Sequence, residues 1–226
     1  MKRKIITIDG FSACGKTSIA KAVAEKLGYK YLSSGLLYRS IAWLKLNEGL
    51  LLKDLKKWEL QLCTENNIDI VLATNQESKK TFKLSRELLE ETSTGEEASK
   101  IAALSEVREY LIPIQRAAFL PNPIVAEGRD MGTVIFPEAD VKFFIEASIE
   151  IRAARRAKQL SGSGEPEKGL VDKFIAEIKK RDSRDSTRLV APAKPAAEAV
   201  IVSNDGSFQA GLDSVMVVLD SHFVDQ

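Results

Sequence analysis

Gly10-Phe11-Ser12-Ala13-Cys14-Gly15-Lys16-Thr17 fits the pattern G-x-x-x-x-G-K-[ST] in full. Every residue type in it serves an anion. The glycines let the backbone fold so that successive N–H groups point inward and meet negative charge at the start of a helix. The lysine reaches the β- and γ-phosphates of a nucleotide, and the Thr17 hydroxyl completes the shell of a Mg2+ ion. Ser18 adds a further phosphate contact. Residues 10–18 are therefore expected to bind ATP, with Mg2+ as cofactor at Thr17. No histidine or second cysteine is placed to assist Cys14, which reads as a small loop residue and not a nucleophile.

A loop of this kind opens nucleotide switches, metabolite kinases and nucleotide kinases alike. Regulatory GTPases carry a guanine-reading N-K-x-D, and none is found; "NNID" at 66–69 lacks the lysine. A kinase must also neutralise a second, phosphate-bearing substrate and the phosphoryl group in transit. Arginines stand where a parallel sheet would present them, beyond the carboxyl ends of strands. They are Arg39, Arg129, and Arg152, Arg155, Arg156, Arg181, Arg184 and Arg188 around the flexible "SGSGEPEKG" at 161–169. The weave "RDSRDSTR" also suits a solvated helix face, so spacing alone leaves both readings open. A kinase for a sugar or a shikimate-like acid and a nucleotide-dependent binding protein are the rivals at this point.

The elements that must position these residues follow from periodicity. "KIITI" (4–8) is β-branched and reads as a fully buried strand. From Lys16, residues Ile19, Ala20, Val23, Ala24 and Leu27 share one helix face, and Gly28 is placed to end it. "YKYLSS" (29–34) is a short strand and 35–49 a helix. Between 64 and 84, "NIDIVLA" and "TFKLS" flank a polar stretch, which predicts a small hairpin. Two or three helices follow up to Phe119, then a strand in "PNPIVAEGRD" and another in "VKFFI" (141–145). Helices at 148–160 and 170–182, a last strand in "EAVIVSND" (198–205) and a terminal helix complete the chain. Five strands alternating with helices predict an α/β fold, a five-stranded parallel sheet, doubly wound, of the P-loop NTPase kind. The stretch from about 36 to 118 is too long for an ordinary crossover and reads as a substrate-binding insertion.

The bulk numbers set the compartment and exclude some partners. With 226 residues, 44% of them hydrophobic, the chain can bury one substantial core. A net charge of +1 (33 − 32) argues against a general nucleic-acid or membrane coat. Two cysteines cannot make a disulfide framework, so a reducing, cytoplasmic compartment is expected. The apolar stretch near the start is short and runs into Asp9-Gly10, so a signal peptide is not expected. No apolar run approaches the ~20 residues of a membrane span.

"LSSGLLYRSIA", "VAEGRDMGTVIFPEADVKFFIEAS", "RRAKQL" and "EIKKRDSRDSTRLVAPAKPAAEAVIV" together resemble the bacterial cytidylate kinases, within the nucleoside monophosphate kinases. The resemblance runs almost the whole length, weakest from 45 to 95, and "GRDMGTVIFP" followed by "IKKRDSRDSTR" is far more specific than a phosphate loop. It implies direct in-line transfer of the γ-phosphate of ATP to CMP or dCMP, giving CDP or dCDP and ADP. It further implies that Ser34 and Arg39 meet the CMP phosphate with Arg129 beside them, and that Ser99 and Arg108 read the cytosine edge. Asp130 would support that pocket, Arg181 and Asp185 would hold pentose and phosphate, and Arg188 would stabilise the transferring phosphoryl group. Lys16, Arg129, Arg181 and Arg188 make up the implied catalytic set, and Arg155 joins the ATP-binding residues. The implied layout is one kinase domain acting as a monomer. Its core is 1–34 and 119–226, its monophosphate-binding part with a small β insertion is 35–118, and its lid is 152–170. Phe11 stands where many members have proline, Ser33 where they have an acid, and Glu127 where an aspartate is frequent. For Arg108 the alternative is an exposed position on a helix ending near Phe119.

Overall fold

The computed structural model describes residues 3–65, 68–161 and 169–224. In chain order the elements begin with β1 (Ile5–Gly10), α1 (Lys16–Leu27), β2 (Lys30–Ser33) and α2 (Ser34–Asn47). A 3-10 segment (Leu52–Lys57) leads to β3 (Trp58–Glu65), β4 (Ile68–Asn75) and β5 (Thr81–Ser85), then α3 (Arg86–Leu89), α4 (Thr92–Ile101) and α5 (Ser105–Ala117). After β6 (Ile124–Gly128) comes a π-type turn (Met131–Ile135), then β7 (Val141–Glu146), α6 (Ile149–Ser161), α7 (Leu170–Thr187), β8 (Val200–Ser203) and α8 (Phe208–Val224). The chain divides into two compact units, Met1–Tyr31 with Pro123–Gln226, and Leu32–Asn122.

Five strands form a sheet in the order β2-β6-β1-β7-β8. β1 runs parallel to β6 on one side and to β7 on the other, and β7 runs parallel to β8. Every residue of β1 and β6 is buried, as a sheet covered on both faces requires. The strand that carries the phosphate loop is thus the central one. α1 lays Ile19, Ala20, Val23 and Ala24 against this sheet, and α8 adds Leu212, Val215 and Leu219 to the same core. Gly28 ends α1 in a left-handed conformation (φ 66°), as its position predicts. Ala153 and Ala157 of α6 pack on Phe174 and Ile178 of α7. α7 continues past 182 to Thr187, since "SRDST" contains nothing that breaks a helix.

The unit Leu32–Asn122 holds an antiparallel sheet in the order β3-β4-β5. The predicted hairpin is β4 with β5; β3 is an additional strand that corrects the expectation. Its apolar residues Trp58, Leu60 and Leu62 do alternate with Glu59 and Gln61, but only Leu60 is fully buried, so the pattern is weak. α2, α4 and α5 cover a core that includes Leu37, Ile41, Leu44, Val71, Leu84, Val107 and Leu111. Among the described residues no helix is long and apolar enough to cross a membrane.

Candidate active site

β1 ends at Gly10, where a Cβ would come within 2.4 Å of the Ile145 carbonyl oxygen. The loop then turns left-handed at Ala13 (φ 59°) and again at Gly15 (φ 89°). Alternating handedness turns consecutive N–H groups to one side, making an anion-binding concavity. Gly15 is the N-cap of α1, and neither a capping side chain nor an acid stands in the first turn. The N–H groups of that turn have no intrahelical acceptor, and the positive end of the helix is left to an anion from outside. Thr17 is half-buried and Ser18 exposed at the start of α1. Lys16 is buried and folds back over the loop, its Nζ donating to the Phe11 carbonyl at 3.1 Å. Burial depresses its pKa, and Arg129 and Arg181 push the same way against Cys14 and Glu127. Phe11 packs edge-on against Phe144 of β7, ring centroids 5.6 Å apart. Cys14 is a buried free thiol within the core.

Arginines and carboxylates from distant parts of the sequence meet around this loop. Arg129, just after β6, donates from Nε to Asp185 Oδ2 at 3.1 Å and from Nη1 to the Gly128 carbonyl at 3.3 Å. Arg181 stands one turn before Asp185 on α7, its Nε 4.0 Å from the same oxygen. Desolvation works to lower the Arg129 pKa, but Asp185 and Glu127 outweigh it and hold it above its ordinary value. Arg188, at the end of α7, has its Nη2 3.5 Å from Asp130 Oδ1 and donates from Nε to the Ala191 carbonyl at 2.6 Å. Arg152 of α6 pairs with Asp182 and donates to the Ser12 carbonyl at 3.1 Å. Asp182 in turn accepts the Ser12 N–H at 3.3 Å. The "RDSRDSTR" weave is therefore not simply a solvated face. Asp182, which spacing does not single out, bridges Arg152 of α6 and the phosphate loop.

Asp9 was also missed. Its carboxylate accepts the N–H groups of Met131 at 2.9 Å and Gly132 at 2.8 Å. It thereby ties the strand bearing the phosphate loop to the segment bearing Arg129 and Asp130. Burial pushes its pKa up to about 7; the two N–H bonds oppose this, Asp130 adds to it and Lys16 subtracts. A carboxyl whose folded pKa exceeds its unfolded value near ~3.9 binds its proton more tightly when folded. Its contribution to stability must then fall as pH rises from about 4 to about 7. Denaturant unfolding across that range should show a steeper decline in the parent than in Asp9→Asn. Parallel curves would mean that Asp9 keeps an ordinary pKa.

Ser34, Arg39, Ser99 and Arg108 belong to the unit Leu32–Asn122. Arg39 of α2 donates to the Leu89 carbonyl at 2.6 Å and lies on Gly95 of α4, where a Cβ would come 3.0 Å from the guanidinium. Arg108 is 2% exposed, which excludes the surface alternative. It donates to the Ala102 carbonyl at 3.2 Å, and its guanidinium carbon is 6.0 Å from the Tyr38 ring centre. Gly95 and Ser99 stand one turn apart on α4, and Ser99 is buried. Ser34 opens α2, buried, one turn before Tyr38. Burying an arginine is costly unless it is paired and hydrogen-bonded, and packing alone would favour an apolar side chain at 108.

Arg155 is half-buried, donating from Nη2 to the Gly206 carbonyl at 3.0 Å. Its Nη1 is buried with no hydrogen-bond partner among the described residues, and lies 3.8 Å from where a Gly15 Cβ would be. Of the expected lid at 152–170, residues 162–168 lie outside the described residues. Glu127 accepts the Tyr31 hydroxyl at 3.1 Å, and Ser33 occupies the N-cap of α2 without a side-chain capping bond.

A central parallel strand, its glycine-rich loop, and a helix beginning Lys16-Thr17 beside gathered arginines define a P-loop kinase fold. A sequence model of the family described as "Cytidylate kinase" matches residues 6–218. The cytidylate kinase of Dichelobacter nodosus is 40% identical over 229 residues, covering 98% of each chain. That of Vibrio cholerae is 40% identical over 204 residues, covering 88% of each. The chain belongs to the cytidylate kinase family, and it is an enzyme. Among solved structures, an uncharacterized protein from Eubacterium ventriosum aligns with a TM-score of 0.52 at 14% identity, over 97% of this chain and 99% of that one. That likeness concerns the fold alone.

Proposed function

We propose that the enzyme passes the γ-phosphate of Mg2+-bound ATP directly to CMP or dCMP, giving CDP or dCDP and ADP. The observation that carries the reading is the gathering of Arg129 and Arg181 on Asp185 beside the buried Lys16, whose pKa burial depresses and the two arginines lower further. In-line transfer needs fixed cations on both sides of the moving phosphoryl group. Residues 10–18 take the donor phosphates, and the unpartnered Arg155 Nη1 beside Gly15 is a donor for the same nucleotide. The Thr17 hydroxyl at the helix start would help hold Mg2+, which when bound would neutralise phosphate charge. Arg129, Arg181 and Arg188 hold the acceptor and the transferring group, with Asp185 and Asp130 orienting them. No general base is required, because a monophosphate oxygen is already an anionic nucleophile at neutral pH. The two free thiols, Cys14 and Cys63, suit a reducing, cytoplasmic compartment, and the net charge of +1 suits small nucleotides and not a membrane or nucleic acid as partner.

Ser34 and Arg39 are assigned to the acceptor phosphate, and Ser99 and Arg108 to the base. Cytosine presents an amino donor and an unprotonated ring nitrogen, where uracil presents an acceptor and an N–H. A guanidinium can donate to the ring nitrogen or the carbonyl, and a hydroxyl can do either. The wrong base leaves buried polar groups unpaired, at about 1–3 kcal/mol each. Arg108→Met should therefore lower kcat/KM for CMP by roughly tenfold or more and that for UMP much less. A coupled assay offering CMP, dCMP, UMP and AMP to parent and variant measures both ratios. An unchanged CMP-to-UMP ratio would send base recognition elsewhere.

A further inference from the structure

Asn204 directly follows β8 and is 4% exposed. Its backbone N–H donates to the Glu146 carbonyl at 2.8 Å, carrying the pairing with β7 one residue further. Its side-chain Nδ2 reaches the phosphate loop and donates to the Cys14 carbonyl at 2.8 Å. Oδ1 is buried with no hydrogen bond among the described residues. The amide fits only because two residues lack side chains: a Cβ on Gly15 would stand 2.4 Å from Nδ2, and one on Gly211 of α8 would stand 2.4 Å from Oδ1. A buried polar atom left unsatisfied is destabilising, so packing alone does not favour asparagine here. The donor end must have a use.

That use follows from the planarity of the peptide bond. In a trans peptide the carbonyl and the next N–H point in opposite directions. Turning the Cys14 carbonyl toward Asn204 therefore turns the Gly15 N–H away from it. Gly15, at φ 89° and without a Cβ, puts little steric restraint on this peptide. The hydrogen bond from Asn204 supplies the restraint that sterics do not.

We infer that Asn204 is a positioning residue of the phosphate loop: its amide locks the Cys14–Gly15 peptide so that the Gly15 N–H is presented to the donor nucleotide's phosphates, and Gly211 is the space in which that amide sits. The inference rests on residues 10–18 being the nucleotide loop. Titration calorimetry with ADP and, separately, with CMP tests it on the parent, Asn204→Ala, Gly211→Ala, the double variant and Lys16→Ala. In Asn204→Ala the Kd for ADP should rise about tenfold, the equivalent of roughly one hydrogen bond, while that for CMP stays at the parental value. Gly211→Ala should weaken ADP in the same direction by displacing the amide. In the Asn204→Ala background it should have no further effect, because both act through one contact. Parental ADP affinity in Asn204→Ala, or an equal loss for CMP, would overturn the inference, as would additive effects in the double variant. If Gly211→Ala does not fold, Asn204→Ala decides alone. Lys16→Ala separates the two levels: if it too binds ADP normally, the nucleotide-loop reading fails. If it weakens ADP and Asn204→Ala does not, only the role of Asn204 fails.

Discussion

Lys16→Ala is expected to lower kcat by roughly a hundred- to a thousandfold, the cost typical of removing one fixed donor from a developing charge. The fold should survive unchanged. The ammonium donates to the Phe11 carbonyl, and burial depresses its pKa, with Arg129 and Arg181 pushing the same way. Without a phosphate such a cation gives the protein little, and its place in the loop suits it to a phosphate. A coupled assay paired with denaturant unfolding measures both halves. Near-parental turnover in a folded Lys16→Ala protein would remove the lysine from the chemistry.

Arg188→Met should have an effect of about a thousandfold or more, the range seen when an arginine that stabilises the transferring phosphoryl group is lost. Met keeps the unbranched stem and its packing while deleting the charge. The guanidinium is held between Asp130 and the Ala191 carbonyl, so it is placed before any substrate arrives. An arginine prepared in this way for the transition state should affect kcat and kcat/KM together, with KM little changed. A rise in KM alone would make Arg188 a substrate-binding residue instead.

Much of this site could be read from the sequence because its parts are local. Residues 10–18 lie between a strand and a helix whose periodicities are unambiguous, and Gly28 marks where that helix must stop. The arginines could be named but not placed. Nothing in the spacing of "RDSRDSTR" says that Asp185 faces Arg129, 56 residues away, or that Asp182 faces the phosphate loop. Asp9 reads as the end of a strand, and its partners lie in "MGTVI", whose β-branched residues give no sign of a π-type turn. Asn204 meets Cys14 across 190 residues. Only a sheet that sets β8 two strands from β1 makes that meeting possible. β3 was missed for the opposite reason: its signal is local but faint, with a single fully buried residue.

Four of the arginines gathered here face protein carboxylates: Arg129 and Arg181 face Asp185, Arg188 faces Asp130, and Arg152 faces Asp182. A substrate phosphate therefore does not fall into an open well of positive charge. It would share donors that already serve another oxyanion, so part of the Coulomb energy of the new partner would be offset by the old one. What differs between a fitting phosphate and a misplaced one is the direction of the hydrogen bonds, which bidentate guanidinium groups enforce strictly. Nucleotide affinity in such a site should depend only shallowly on ionic strength. Long polyanions, which win binding energy by releasing condensed counterions from basic surfaces, would find little here to exploit. Where a carboxylate already holds each guanidinium in place, the shape of the incoming group should weigh more in selection than the number of arginines suggests.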